Sequence, residues 1–152
     1  MTDDWLDMIS SLLKEEARFL VIGAHALAVH GVPRGTQDLD ILIDPVPENA
    51  ERVWRALISF GAPVASIGIS KADLIEPGLV IQFGLPPNRI DLLTSISGIP
   101  EFDAAWRGRV ELELRGEVVP FIGRTELIAN KRAAGRRKDL ADIEALGEDP
   151  EG

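Results

Sequence analysis

Apolar residues recur along this chain with two periods, and each change of period marks a new element. Trp5, Ile9, Leu12 and Leu13 lie three or four positions apart, one face of a helix capped by Thr2 and favoured by Asp3 and Asp4 in its first turn. A continuous apolar run, FLVIG at 19–23, reads as a buried strand ended by Gly23, and AHALAVHG as a following helix closed by Gly31. The turn signal VPRG then leads into a second strand, DLDILI. ENAERVWRALISFG returns to helical spacing, with Val53, Trp54, Leu57 and Ile58 expected inward and Gly61 at its end. Residues 62–78 carry the weakest pattern and suggest only a short helix around KADLIE.

GLVIQFG and NRIDLLTSI read as two strands of an antiparallel hairpin joined by Leu85-Pro86-Pro87-Asn88. VELELRGEVVPFI reads as a second hairpin turning at Arg115-Gly116. RTELIANKRAAGRRKDLADIEALG is helical throughout, either two helices or one broken near Gly135. The predicted order is helix, strand, helix, strand, helix, four strands and a helical tail. That is an α/β (α+β) fold: a mixed β-sheet with flanking helices, in one domain over residues 1–152.

One strand breaks its own pattern. Asp38 and Asp40 stand two apart within DLDILI, so both carboxylates point to the same sheet face. Two like charges held that close lose hydration and repel, at a cost of roughly several kcal/mol when uncompensated. A third acid, Asp91, sits alone among Ile90, Leu92 and Leu93 in a later strand. Three carboxylates from two neighbouring strands offer the hard oxygen donors that Mg²⁺ or Mn²⁺ takes together with phosphate oxygens and water. The competing reading is structural, with Asp38 or Asp91 ending a strand or pairing with Arg34 or Arg89.

Composition narrows the classes. A length of 152 residues fits one compact domain, and the absence of cysteine excludes disulfides and thiolate metal sites. The acidic N-terminus, MTDDWLDMISSLL, is unlike a basic secretory leader, and no apolar run approaches membrane-spanning length, so a cytoplasmic protein is expected. The net charge of −9 argues against a general nucleic-acid coat. The basic residues are nevertheless concentrated, with Lys131, Arg132, Arg136, Arg137 and Lys138 within eight positions. Gly23-Ala24, where a strand passes into a helix, offers backbone N–H groups suited to phosphate.

Taken together, VIGAHALAVHGVPRGTQDLDILID followed by RIDLL resembles the nucleotidyltransferase superfamily related to DNA polymerase beta. Gly23-Ala24 is followed by thirteen residues and then Asp38-Leu39-Asp40, with Asp91 in the place of the third acid. RGTQDLD resembles the Arg-x-Thr-x-Asp-x-Asp of small bacterial members, including the AbiEii/AbiGii-type toxin nucleotidyltransferases. KRAAGRRKDLADIEAL resembles the Lys-x-x-Ala and Arg/Lys-Asp-x-x-Asp motifs of that group, and the likeness runs from about residue 18 to residue 146.

The resemblance implies transfer of a nucleoside monophosphate from an NTP such as ATP to a hydroxyl, with release of pyrophosphate and with two Mg²⁺ ions. It implies Asp38, Asp40 and Asp91 as metal ligands, and Asp91 also as the group receiving the hydroxyl proton. Gly23, Ala24, Arg34 and Thr36 would hold phosphates, Lys131 would contact the triphosphate, and Asp139 would support the site with Asp142 as its companion. A tRNA end, a partner protein's side chain or a small hydroxylated molecule would be the acceptor, and a toxin–antitoxin partner is implied by the nearest group. Ala24 departs from the family's usual Gly or Ser and removes a hydroxyl contact to phosphate. That departure and the small size motivate the alternative, a non-catalytic nucleotide- or partner-binding module.

Other polar residues are expected to be structural. His25 and His30 lack zinc-ligand spacing and read as packing or surface residues. Thr36 suits a turn cap nearly as well as a phosphate contact, and Asp44 beside Pro45 suits a turn. Arg107 and Arg109 fit either a positive rim or a solvated surface. Trp5, Trp54 and Trp106 fit core positions.

Overall fold

The computed structural model describes residues 1–152. Helix α1 (Asp3–Lys14) starts where expected, with the Thr2 hydroxyl accepting the Trp5 backbone N–H at 3.2 Å. Strand β1 (Phe19–Ile22) is buried along its whole length and passes directly into helix α2 (Gly23–Val29). Strand β2 (Asp38–Ile43) follows, then helix α3 (Pro47–Phe60), ended by Gly61 in the left-handed region. A one-turn helix α4 (Val64–Ile67) and a 3₁₀ segment (Lys71–Ile75) lead into the hairpin of β3 (Val80–Phe83) and β4 (Arg89–Leu93). Helix α5 (Phe102–Arg107) precedes the second hairpin, β5 (Val110–Leu114) and β6 (Glu117–Phe121). The tail is two helices, α6 (Arg124–Ala134) and α7 (Arg137–Ala145), separated by Gly135 at φ +64°.

The six strands form one mixed sheet in the order β3-β4-β2-β1-β6-β5. The two hairpins and the β1–β2 pair are antiparallel, whereas β2–β4 and β1–β6 are parallel. The mixed sheet with flanking helices is therefore as the sequence pattern predicts. Alternation along the strands divides the apolar residues between two faces. Phe19, Val21, Leu39, Ile41, Ile43, Ile90 and Leu92 meet α1 and α3 in the larger core. Leu20, Ile22 and Leu42 meet α2, α5, α6 and α7 in a smaller one. No helix is long and apolar enough to cross a membrane.

Two expectations change. Ile58 is exposed, whereas Trp54 is half-buried but packs against the core, because α3 turns Asn49, Ala50, Val53, Ala56 and Leu57 inward. Its contact stripe includes two alanines and an asparagine that an apolar-residue pattern passes over. Helices α4 and α5 were not predicted: four and six residues are too short to display a period.

At one end of the sheet, where β1 starts and β2 finishes, polar groups lock the strands. The Arg18 backbone N–H donates to Asn49 Oδ1 at 2.7 Å, and Asn49 Nδ2 donates to the carbonyls of Arg18 and Asp44 at 2.9 Å. Asp44, read as a turn residue, is buried here and pairs with Arg18 at 3.0 Å. Burial pushes its carboxyl pKa up, while the Arg18 charge opposes that shift. The carboxylates of interest lie at the other end.

Candidate functional site

Parallel pairing of β2 and β4 sets Asp38 opposite Arg89 and Asp40 opposite Asp91. Since residues two apart share a face, Asp38, Asp40, Arg89 and Asp91 all stand on the same side of two adjacent strands. Gln82 on β3 pairs with Asp91, and its amide donates to the Asp91 carboxylate at 3.4 Å. The three acids that the sequence singles out are brought together.

Arg89 is the cation among them. Its Nε lies 3.0 Å from Asp38 Oδ1 and 3.3 Å from Asp91 Oδ1, and its Nη2 donates to the second oxygen of each at 3.2 and 3.4 Å. The pairing with Arg89 and the convergence of the acids, opposed readings of the sequence, are both present. One guanidinium serving two carboxylates aligns fully on neither. Arg89 Nε and Asp91 Oδ1 are shielded from water, and neither has a hydrogen-bond partner of proper geometry.

Asp40 makes no ion pair, and its carboxyl pKa is pushed up to about 6. Burial is the largest cause, followed by the Asp91 and Asp38 charges and a side-chain hydrogen bond with Asp91, while Arg89 opposes the rise. Gly23 presses against this same carboxyl. It has φ +67°, and a Cβ built there would collide with Asp40 Oδ2. Glycine is needed at this turn both for its backbone angle and for the close approach of the acid. The first turn of α2, including Ala24, has no side-chain cap and no acidic residue.

Two cavities of about 450 and 470 Å³ open on either side of this point, sharing Gly23, Asp40, Lys131 and Arg136. The first is bounded by Ala24, Arg34, Thr36, Asp38 and Lys138, so its wall is rich in cations. The second is bounded by Asp91, Ser95, Ser97, Asn130 and Asp139 and has mainly small neutral groups around the acids.

The tail helices supply an ionic network between the two cavities. Lys131 is buried, with Nζ 3.0 Å from Asp142 and 3.5 Å from Asp139. Asp139, 1% exposed, also accepts from Arg136 Nε at 2.7 Å and from the Arg136 backbone N–H at 3.1 Å. Burial opposes its ionisation, but the Arg136 hydrogen bonds and the Arg136 and Lys131 charges outweigh it and hold its pKa below the usual carboxylate value. Arg34 reaches across from the loop before β2 to Asp142 at 2.5 Å. Thr36 Oγ1 bonds the backbone of Asp38, the turn-capping role.

Residues read as structural are so placed. The His25 ring packs edge-on against Trp5 at 4.9 Å, and burial and the chain's amino terminus hold its pKa below the usual value, against a hydrogen bond to the Asp38 backbone. His30 Nε2 meets the Ile122 carbonyl at 2.8 Å. Arg109 covers Trp106 at 4.0 Å and pairs with Glu111 at 3.2 Å, and neither Arg107 nor Arg109 borders the two cavities.

In type the donors suit a hard divalent cation, being three carboxylates on one face, one with a buried oxygen lacking a hydrogen bond and one disfavoured as an unpaired anion. With Arg89 between Asp38 and Asp91, the carboxylates are not drawn in around a common centre as a ready-made metal cage. Compared with known proteins, the sequence matches no family model and no curated protein.

Proposed function

We propose that this chain is a Mg²⁺-dependent nucleotidyltransferase that moves a nucleoside monophosphate from an NTP to a hydroxyl acceptor and releases pyrophosphate. The observation that carries this reading is the meeting of Asp38, Asp40 and Asp91 on one face of β2 and β4, against the glycine turn that opens α2. Asp38 and Asp40 would hold two Mg²⁺ (or Mn²⁺) ions, and Asp91 one of them. Bound there, the ions would neutralise phosphate charge and lower the pKa of an attacking hydroxyl. Asp91, on the side of the more neutral cavity, would receive that hydroxyl's proton. Gly23 and Ala24 would offer backbone N–H groups to phosphate. Arg34, Thr36 and Lys131 border the cation-rich cavity, as triphosphate binding requires. Lys131 Nζ has three N–H donors and two carboxylate neighbours, so one donor is left for a ligand. Asp139 would position Lys131. A tRNA end, a protein side chain or a small hydroxylated molecule would be the acceptor, in a cytoplasmic and toxin–antitoxin-like setting.

A second reading, a nucleotide- or partner-binding module without catalysis, draws on a different observation. Arg89, Lys131, Arg34 and Arg136 already pair with four of the five acids in this region, leaving only Asp40 without a pair. Calorimetric titration with each NTP, with and without Mg²⁺, separates the two when combined with a pyrophosphate-release assay. Metal-dependent binding that is lost in the Asp38→Asn/Asp40→Asn double variant, with pyrophosphate release by the unsubstituted protein, is the expected result. Equal binding by both proteins would remove the metal mechanism, and metal-dependent binding without any release would favour the module.

A further inference from the structure

We infer that Arg89 is a built-in competitor for the divalent cation, so that the carboxylates accept the metal readily only when a phosphate-bearing ligand takes over the guanidinium. The inference rests on the metal-site reading above and concerns how that site is controlled. Arg89 contacts all four carboxylate oxygens of Asp38 and Asp91 within 3.0–3.4 Å. A cation taking both residues as ligands must therefore displace it. Most neighbouring cations are already engaged, Arg34 by Asp142, Lys131 by Asp142 and Asp139, and Arg136 by Asp139, which leaves the exposed Lys138 at the rim of the first cavity.

The two states of Arg89 are unequal in cost. In place, it pairs with two of the three clustered carboxylates, with its Nε out of contact with water. Displaced, its guanidinium must find solvent or another anion, and losing the shielded contact to Asp91 costs more than losing the half-exposed one to Asp38. A phosphate group offers two oxygens to the planar, two-pronged guanidinium fork. A metal ion arriving alone offers Arg89 nothing, whereas a metal ion arriving with phosphate supplies both a replacement cation for the acids and a replacement anion for the arginine. Affinities for the two ligands must then reinforce one another, and by linkage they do so equally in both directions. The imperfect alignment of Arg89 on either carboxylate keeps it displaceable.

The test uses Mn²⁺ alone and inorganic phosphate as probes, read by calorimetry and by the melting temperature, so that no turnover is needed. Arg89→Gln is expected to bind Mn²⁺ roughly fivefold or more tightly than the unsubstituted protein, a typical coupling between sites. Phosphate is expected to tighten Mn²⁺ binding by a similar factor in the unsubstituted protein and to have little effect in Arg89→Gln. Arg89→Lys, which keeps the charge but not the planar fork, guards against misfolding of the first variant and is expected to fall between the two. Equal Mn²⁺ affinities in all three proteins, with the same response to phosphate, would overturn the inference and leave the metal site standing. Failure of every protein to bind Mn²⁺, or binding that survives in the Asp38→Asn/Asp40→Asn double variant, would overturn the metal site and the inference with it.

Discussion

Asp40 is the residue at which stability and chemistry pull apart. Its carboxyl pKa is raised from 3.8 to about 6 by burial and by its acidic neighbours, so the folded chain holds a proton that the unfolded chain has released. Stability from this group is complete below about pH 4 and is lost as pH rises through about 6. A shift of that size corresponds to at most about 3 kcal/mol, less where water still reaches the carboxyl. Asp40→Asn cannot lose the proton. Urea unfolding should therefore show the variant more stable than the unsubstituted protein at pH 7, with the difference closing by pH 4. A variant less stable at pH 7 would mean that Arg89 already compensates Asp40. The convergence of Asp38, Asp40 and Asp91 was legible in the sequence because alternation forces it once two strands pair in register. The close approach of Gly23 to Asp40 was not, since it depends on how α2 is placed against β2.

At the scale of elements, the hairpins and tail helices followed their local signals. Arg115-Gly116 has positive φ at both positions, as a tight hairpin turn needs, and Gly135 ends α6 in the left-handed region. What the sequence did not reveal was the use of the basic run. Lys131 was expected at a triphosphate and Arg136 had no assigned role, yet both converge on Asp139 because α6 and α7 fold back at Gly135. Asp139 is thus the pin of the helical corner. Asp139→Ala leaves the buried Lys131 with one partner and frees the start of α7, and should cost roughly 3 kcal/mol in urea unfolding. Because Asp139 is held ionised, its contribution is present above the ordinary carboxylate pKa and disappears as pH falls through its lowered value. The variant and the parent should therefore converge in stability in strong acid. Short elements such as α5 escaped prediction because what fixes them is tertiary: Arg18 stacks on Phe102 and Trp106 from the far side of the chain.

The whole molecule separates its two polar ends. One end carries the acids and both cavities, and the other carries the Arg18–Asn49–Asp44 lock, with the apolar strands between them. Asn49→Ala removes three hydrogen bonds of 2.7–2.9 Å, one buried and two part-buried, and should lower unfolding free energy by about 2–4 kcal/mol. The metal-dependent nucleotide binding proposed above, measured well below the melting temperature, should not change. Loss of binding in that variant would show that the sheet transmits strain along its length. Asn49 was hidden from sequence reading, since a single asparagine in an amphipathic helix is ordinarily exposed.

Parallel pairing also imposes an order in time. Asp40 and Asp91 become neighbours only when β2 and β4 pair across the intervening α3, the segment behind it and β3, a long-range contact that closes slowly compared with helices and hairpins. Partly folded chains can carry every helix and both hairpins and still have no cluster of acids. The charge repulsion that the cluster creates is thus deferred until the surrounding core is in place to hold it.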